Sequence, residues 1–81
     1  MKVWISRDKG SQENIIYIWY VSKKPVKQTP DGCVTFSIED NMAHPEKFTD
    51  MYYPDFQKLF KINLTPGTCN RYNIPKITKA K

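Results

Sequence analysis

The sequence predicts a small α+β domain, mainly β: a four-stranded, largely antiparallel sheet with one short helix packed on it. Three observations carry this reading. Residues 15–21 form an unbroken run of apolar and aromatic side chains, nearly all β-branched or aromatic; this suits a strand and is far too short to span a bilayer. Val34, Phe36 and Ile38 alternate with Cys33, Thr35 and Ser37, the period-two pattern of a strand with one wetter face. Pro54 opens a stretch in which Phe56, Leu59 and Phe60 share one helical face, with Asp55 near its start and Lys58 and Lys61 near its end, as the helix dipole favours.

Taken in order, residues 2–7 read as the first strand, with Val3 and Ile5 on one side and Trp4 on the other. A polar turn around Gly10 follows, and the next strand returns antiparallel as a hairpin. That second strand, 15–21, is the organising element. Ile15, Tyr17, Trp19 and Val21 share one face, and Ile16, Ile18 and Tyr20 the other. Both faces are apolar, so the strand is expected inside the sheet with cover on each side. Burying one such side chain contributes roughly 1.5–3 kcal/mol before entropy is subtracted. The alternative is that Tyr17, Trp19 or Tyr20 lies open as a binding platform.

Lys23, Lys24 and Pro25 end that strand, and residues 26–29 read as a basic connection. Pro30, Asp31 and Gly32 spell a turn. Residues 33–38 are then the third strand. For residues 45–53 the expectation is a short helix, with Phe48, Met51 and Tyr52 at i, i+3 and i+4, or an irregular loop. The helix over 54–61 is about two turns long and must dock to be stable. Thr65, Pro66, Gly67 and Thr68 read as a type II turn with glycine at the positive-φ position. The last strand is 69–74, and 76–81 is a basic tail expected to fray. The 81 residues read as one domain.

Net charge is +5 with 40% hydrophobic residues, enough apolar content for a small core. The charge is uneven. Glu39, Asp40, Glu46, Asp50 and Asp55 face only Lys47 in the middle of the chain, whereas everything after Phe56 is basic: Lys58, Lys61, Arg71, Lys76, Lys79 and Lys81. No secretory signal or membrane span is evident, which points to the cytoplasm and makes Cys33 and Cys69 free thiols; a single inter-strand disulfide is the alternative.

Little here points to catalysis. The one histidine, His44, stands beside Pro45 in an acidic stretch and reads as solvent-exposed. Cys33, His44 and Cys69 lack the tight spacing of a metal site, and no cofactor is indicated. Each glycine sits in its own turn, so no phosphate-cradling loop exists. The acids read as a solvated rim rather than a catalytic pair. Asn63, Leu64 and Thr65 match a glycosylation acceptor by chance. Nucleic-acid binding needs cations interleaved with aromatics. The candidates are Lys23, Lys24, Lys27, Arg71 and Lys76, with Tyr72, or an open member of Tyr17, Trp19 and Tyr20, as the stacking partner.

Trp4-Ile5-Ser6-Arg7-Asp8, the later Lys24-Pro25 and the Tyr53-Pro54-Asp55-Phe56 step resemble a group of short uncharacterised proteins from phages and mobile elements of Bacteroides-type gut bacteria. The resemblance covers about a third of the chain and implies a bacterial or phage cytosolic setting but no activity. The basic end departs from the acidic finish expected of that group. The functional expectation is a non-enzymatic accessory protein that binds another protein, or pairs with itself through an exposed sheet edge. A basic nucleic-acid-binding module is the alternative.

Overall fold

A computed structural model describes residues 1–38 and 47–74. Its centre is a four-stranded antiparallel sheet of β1 (Lys2–Arg7), β2 (Ile15–Trp19), β5 (Phe48–Tyr52) and β6 (Thr68–Asn73), in the order β5-β2-β1-β6. A smaller antiparallel pair, β3 (Val26–Gln28) and β4 (Thr35–Ser37), covers one face. Helix α1 (Tyr53–Phe60) covers the other.

The apolar run of β2 explains this layering. Ile16 and Ile18 are fully buried on the helix side with Val3, Ile5 and Phe56. Tyr17 and Trp19 face the other way, where Trp19, Phe36 and Cys69 form a second buried cluster. The expected two-sided cover of β2 is therefore present. β1 and β2 pair as a hairpin with Trp4 opposite Trp19. Gly10, at φ +118°, carries the connecting turn, and a Cβ there would meet Cys33 Sγ at 2.6 Å. On the face covered by β3 and β4, Trp19 Nε1 donates to Ser6 Oγ at 2.9 Å, so the one polar atom of a buried indole is satisfied.

The membership of the large sheet differs from the expectation. Its fourth strand is β5, within the stretch read as a helix or loop. Phe48 packs with the Trp19 cluster and Met51 against the Ile16 cluster; the two lie on opposite sides of the sheet, as period two requires and a shared helical face forbids. Ile16 and Ile18 need a strand neighbour on their free side, and Met51 and Thr49 sit opposite them. Tertiary pairing thus overrides a short helical pattern. The strand expected at 33–38 forms as β4 but joins β3, which lies within the segment read as a connection. Lys9 and Val34 link the pair to the end of β1 through reciprocal backbone bonds of 3.0 and 2.9 Å.

Helix α1 begins one residue early and ends at Phe60, where Lys61, at φ 57°, returns its N–H to Gln57 O. Phe56, with no solvent exposure, is the residue that docks it. Gly67, at φ +83°, closes the turn before β6 as expected. Arg7 ties this end together. Its guanidinium lies 3.9 Å from the Tyr53 ring centroid, Nε donates to Glu13 O and Nη1 to Leu64 O.

The sheet ends in β5 on one side and β6 on the other. Tyr20 N–H donates to Lys47 O and Tyr53 N–H to Asn14 O, so the alternation of the ladder turns the main-chain groups of Phe48, Asp50 and Tyr52 outward. Met1 and Ile74 exchange both bonds, which by the same alternation turns those of Cys69, Arg71 and Asn73 outward on β6. Among the described residues no further strand pairs with either edge.

Candidate functional site

The expected cationic residues fall into three groups. Lys24 and Arg71 come together around Trp4: the Arg71 guanidinium carbon is 5.1 Å and Lys24 Nζ 5.8 Å from its ring centroid. Register accounts for this, because Arg71 lies opposite Trp4 across the β1–β6 ladder. Ser22 O locks the arrangement by accepting from Trp4 Nε1 at 3.2 Å and from Arg71 Nη1 at 3.0 Å. Lys23 is exposed on the same segment as Ser22. Lys27 sits apart on β3, where it shares a shallow groove with Lys24, Pro25, Phe36 and the start of β6. Lys76, and the tail of which it is part, lie outside the described residues, as do His44 and Pro45.

The stacking partners named from the sequence are not the ones beside these cations. Trp19 is buried. Tyr17 is half-buried in a ring cluster with Trp19 and Phe48, at centroid distances of 5.7 Å to each. Tyr20 bonds Thr49 Oγ1 through its hydroxyl at 2.7 Å. Tyr72 packs on the helix side, across the sheet from Arg71. The aromatic that joins the cations is Trp4. Its separation from Val3 and Ile5 is readable in the sequence, but its proximity to Arg71 depends on β6 pairing with β1.

A second surface has the opposite character. Tyr52 is 62% exposed and Leu59 68% exposed. Tyr52, the last residue of β5, lines one concavity with Asp55, and Leu59 follows Asp55 by one turn of α1. Asp50, Met51, Tyr52 and Asp55 line one shallow concavity with Ile15, where α1 meets β5. Asp50 and Asp55 are both exposed. The flank is therefore apolar, acidic and continuous with the outward edge of β5. The helical pattern of Phe56, Leu59 and Phe60 hid it from sequence reading: Leu59 has the type of a docking residue but sits to the side of Phe56.

Three groups have a displaced pKa: Asp8, Tyr17 and Cys69. Asp8 is buried, its Oδ1 has no hydrogen-bond partner, and burial raises its carboxyl pKa. Burial also raises the Tyr17 hydroxyl, with the nearby charges of Asp8 and Asp50 adding to it. The Cys69 thiol is pushed up to about 11, chiefly by burial. Cys33 and Cys69 are both free. Among the described residues, no three His, Cys, Asp or Glu side chains converge on a point, and no helix is long and apolar enough to cross a membrane. Compared with protein-family models, curated proteins and solved structures, the chain matches none.

Proposed function

We propose that this domain is a non-enzymatic binding module that docks another protein on the flank formed by β5 and α1. It is then a cytoplasmic accessory protein of a phage or mobile element, a setting that the resemblance described above supports. One observation carries the reading: Tyr52 and Leu59 stand 62% and 68% exposed on one flank, beside a sheet edge whose main-chain groups point outward. Single apolar side chains on a surface are ordinary, but grouped ones beside a free edge mark recognition surfaces. Tyrosine is also enriched where partners meet. The acids Asp50 and Asp55 set the preferred partner surface as basic.

Site-directed photo-crosslinking in cells tests this. A benzoylphenylalanine in place of Leu59 yields a discrete protein adduct, and one in place of Lys27, exposed on β3, does not. Equal labelling from both positions, or none from position 59, rejects the docking surface.

A second reading has its own observation, the meeting of Lys24 and Arg71 at Trp4. It makes this end a site for single-stranded nucleic acid, the cations meeting phosphates and the indole reporting contact. Titration of tryptophan fluorescence with single-stranded DNA or RNA tests it. Binding that weakens with salt and is lost in Lys24→Glu/Arg71→Glu supports the reading. Binding unaffected by the double substitution removes it.

A further inference from the structure

We infer that the partner of the β5 edge is the β6 edge of a second copy, joined antiparallel with Asp50 opposite Arg71, so that the sheet continues from one molecule into the next. This rests on the β5–α1 flank being a protein-docking surface and names its occupant.

Among the described residues both edges of the sheet are without a strand partner. The outward main-chain groups belong to Phe48, Asp50 and Tyr52 on β5, and to Cys69, Arg71 and Asn73 on β6. In the described sheet β5 and β6 run antiparallel to each other: each step in the order β5-β2-β1-β6 reverses direction. A copy placed beside the sheet in the same orientation therefore brings β5 alongside β6 in the antiparallel sense, with both α1 helices on the same face. Cys69 is buried, so β6 presents Arg71 and Asn73 to a neighbour, and pairing Asn73 with Phe48 sets Asp50 against Arg71. Both side chains lie on the face covered by β3 and β4, with Trp4 and Phe48. Asp50 has no ion-pair partner among the described residues, and Arg71 Nε and Nη2 carry no bond there.

Charge chooses this pairing over the symmetric ones. A two-fold β5–β5 pair in full register sets Asp50 against its own copy. A β6–β6 pair centred on Arg71 sets two guanidiniums together. Like charges directly opposite destabilise a strand pair, and opposite charges stabilise it. The single acid in the middle of one edge and the single cation in the middle of the other thus act as a lock that permits only the head-to-tail contact. Such a contact is heterologous and does not close on itself, so it builds an open chain of molecules.

Sedimentation velocity of the full chain, from micromolar to millimolar concentration, is the test. The wild type is expected to form a ladder of species that grows with concentration and shrinks at high salt. Asp50→Lys makes both edges cationic, and Arg71→Glu makes both anionic. Each variant alone is expected to associate roughly tenfold more weakly or worse. Mixed together, the two variants restore complementary contacts at both edges, and the ladder returns. Both residues are exposed, and thermal melting confirms that each variant is folded. A wild type that stays monomeric throughout overturns the inference. So does a mixture that stops at dimers, since that is the signature of symmetric edge pairing. If position 59 still cross-links to a different protein while the wild type is monomeric, the docking surface stands and only its occupant is wrong.

Discussion

Replacing Asp8 with asparagine should make this domain more stable at neutral pH, and the gain should fade in acid. Asp8 has only 6% of its surface exposed, and its Oδ1 is sealed from water with no hydrogen-bond donor. A buried acceptor left unpaired costs about 1–3 kcal/mol, and more if charged. Burial raises the carboxyl pKa in the folded state, so the protonated form suits the fold better. The stability that this form contributes is complete below the unfolded value of about 3.9 and is lost as pH rises through the folded value. At neutral pH the wild type therefore bears the cost in full, and Asp8→Asn removes the charge that causes it. Asparagine keeps an unpaired carbonyl at the same place, so the expected gain is the charge's share of the cost alone, on the order of 1 kcal/mol, with each kcal/mol worth roughly 4–8 °C in Tm for a domain of this size. The assay is thermal unfolding followed by circular dichroism, for both proteins, from neutral pH down to about pH 3. A variant less stable than the wild type at neutral pH, or a gain undiminished in acid, refutes the reasoning.

Other outcomes follow from the two buried clusters. Phe56→Ala should cost about 3–5 kcal/mol in a denaturant titration, a large part of the roughly 4–12 kcal/mol available to a chain of this length, because Phe56 alone on α1 is fully buried. Leu59→Ala, three residues on but 68% exposed, should stay within about 0.5 kcal/mol of the wild type in the same titration. Ser6→Ala leaves Trp19 Nε1 without its acceptor and should cost about 1–3 kcal/mol, with a shift in tryptophan emission as the independent readout. At neutral pH a thiol reagent should label half-buried Cys33 well before Cys69, whose buried thiol titrates only at about 11; mass spectrometry of native and unfolded protein counts the labels.

Elements specified by their own residues were legible, and those decided by a partner were not. β1, β2, α1 and the Gly67 turn could be read because each is specified by its own residues: a β-branched run, a proline start, a glycine at positive φ. β5 could not. Phe48, Met51 and Tyr52 satisfy a helical spacing, and only the need of Ile16 and Ile18 for a neighbour decides for a strand. β4 was legible as a strand, but not its partner: nothing in Val34, Phe36 and Ile38 says that the strand joins Val26–Gln28 rather than the large sheet. The cationic cluster was half visible. Lys24 and Arg71 were named for their charge, but Trp4 enters only through the register of β1 with β6. The exposure of Tyr52 and Leu59 carried no sequence signal at all, since exposed and buried apolar residues are the same letters.

That the earliest strand is zipped to the last, with the Met1 ammonium bonded to Ile74 O and Asn73 Oδ1, bears on how the chain comes off the ribosome. β1 can fold back onto β2 as soon as both have emerged, but its other flank stays bare until residue 74 clears the exit tunnel. Until β6 emerges the nascent molecule offers an unfilled berth, Val3 and Ile5 at its lip. Premature termination anywhere upstream of β6 should yield a sticky fragment rather than a looser version of the native domain.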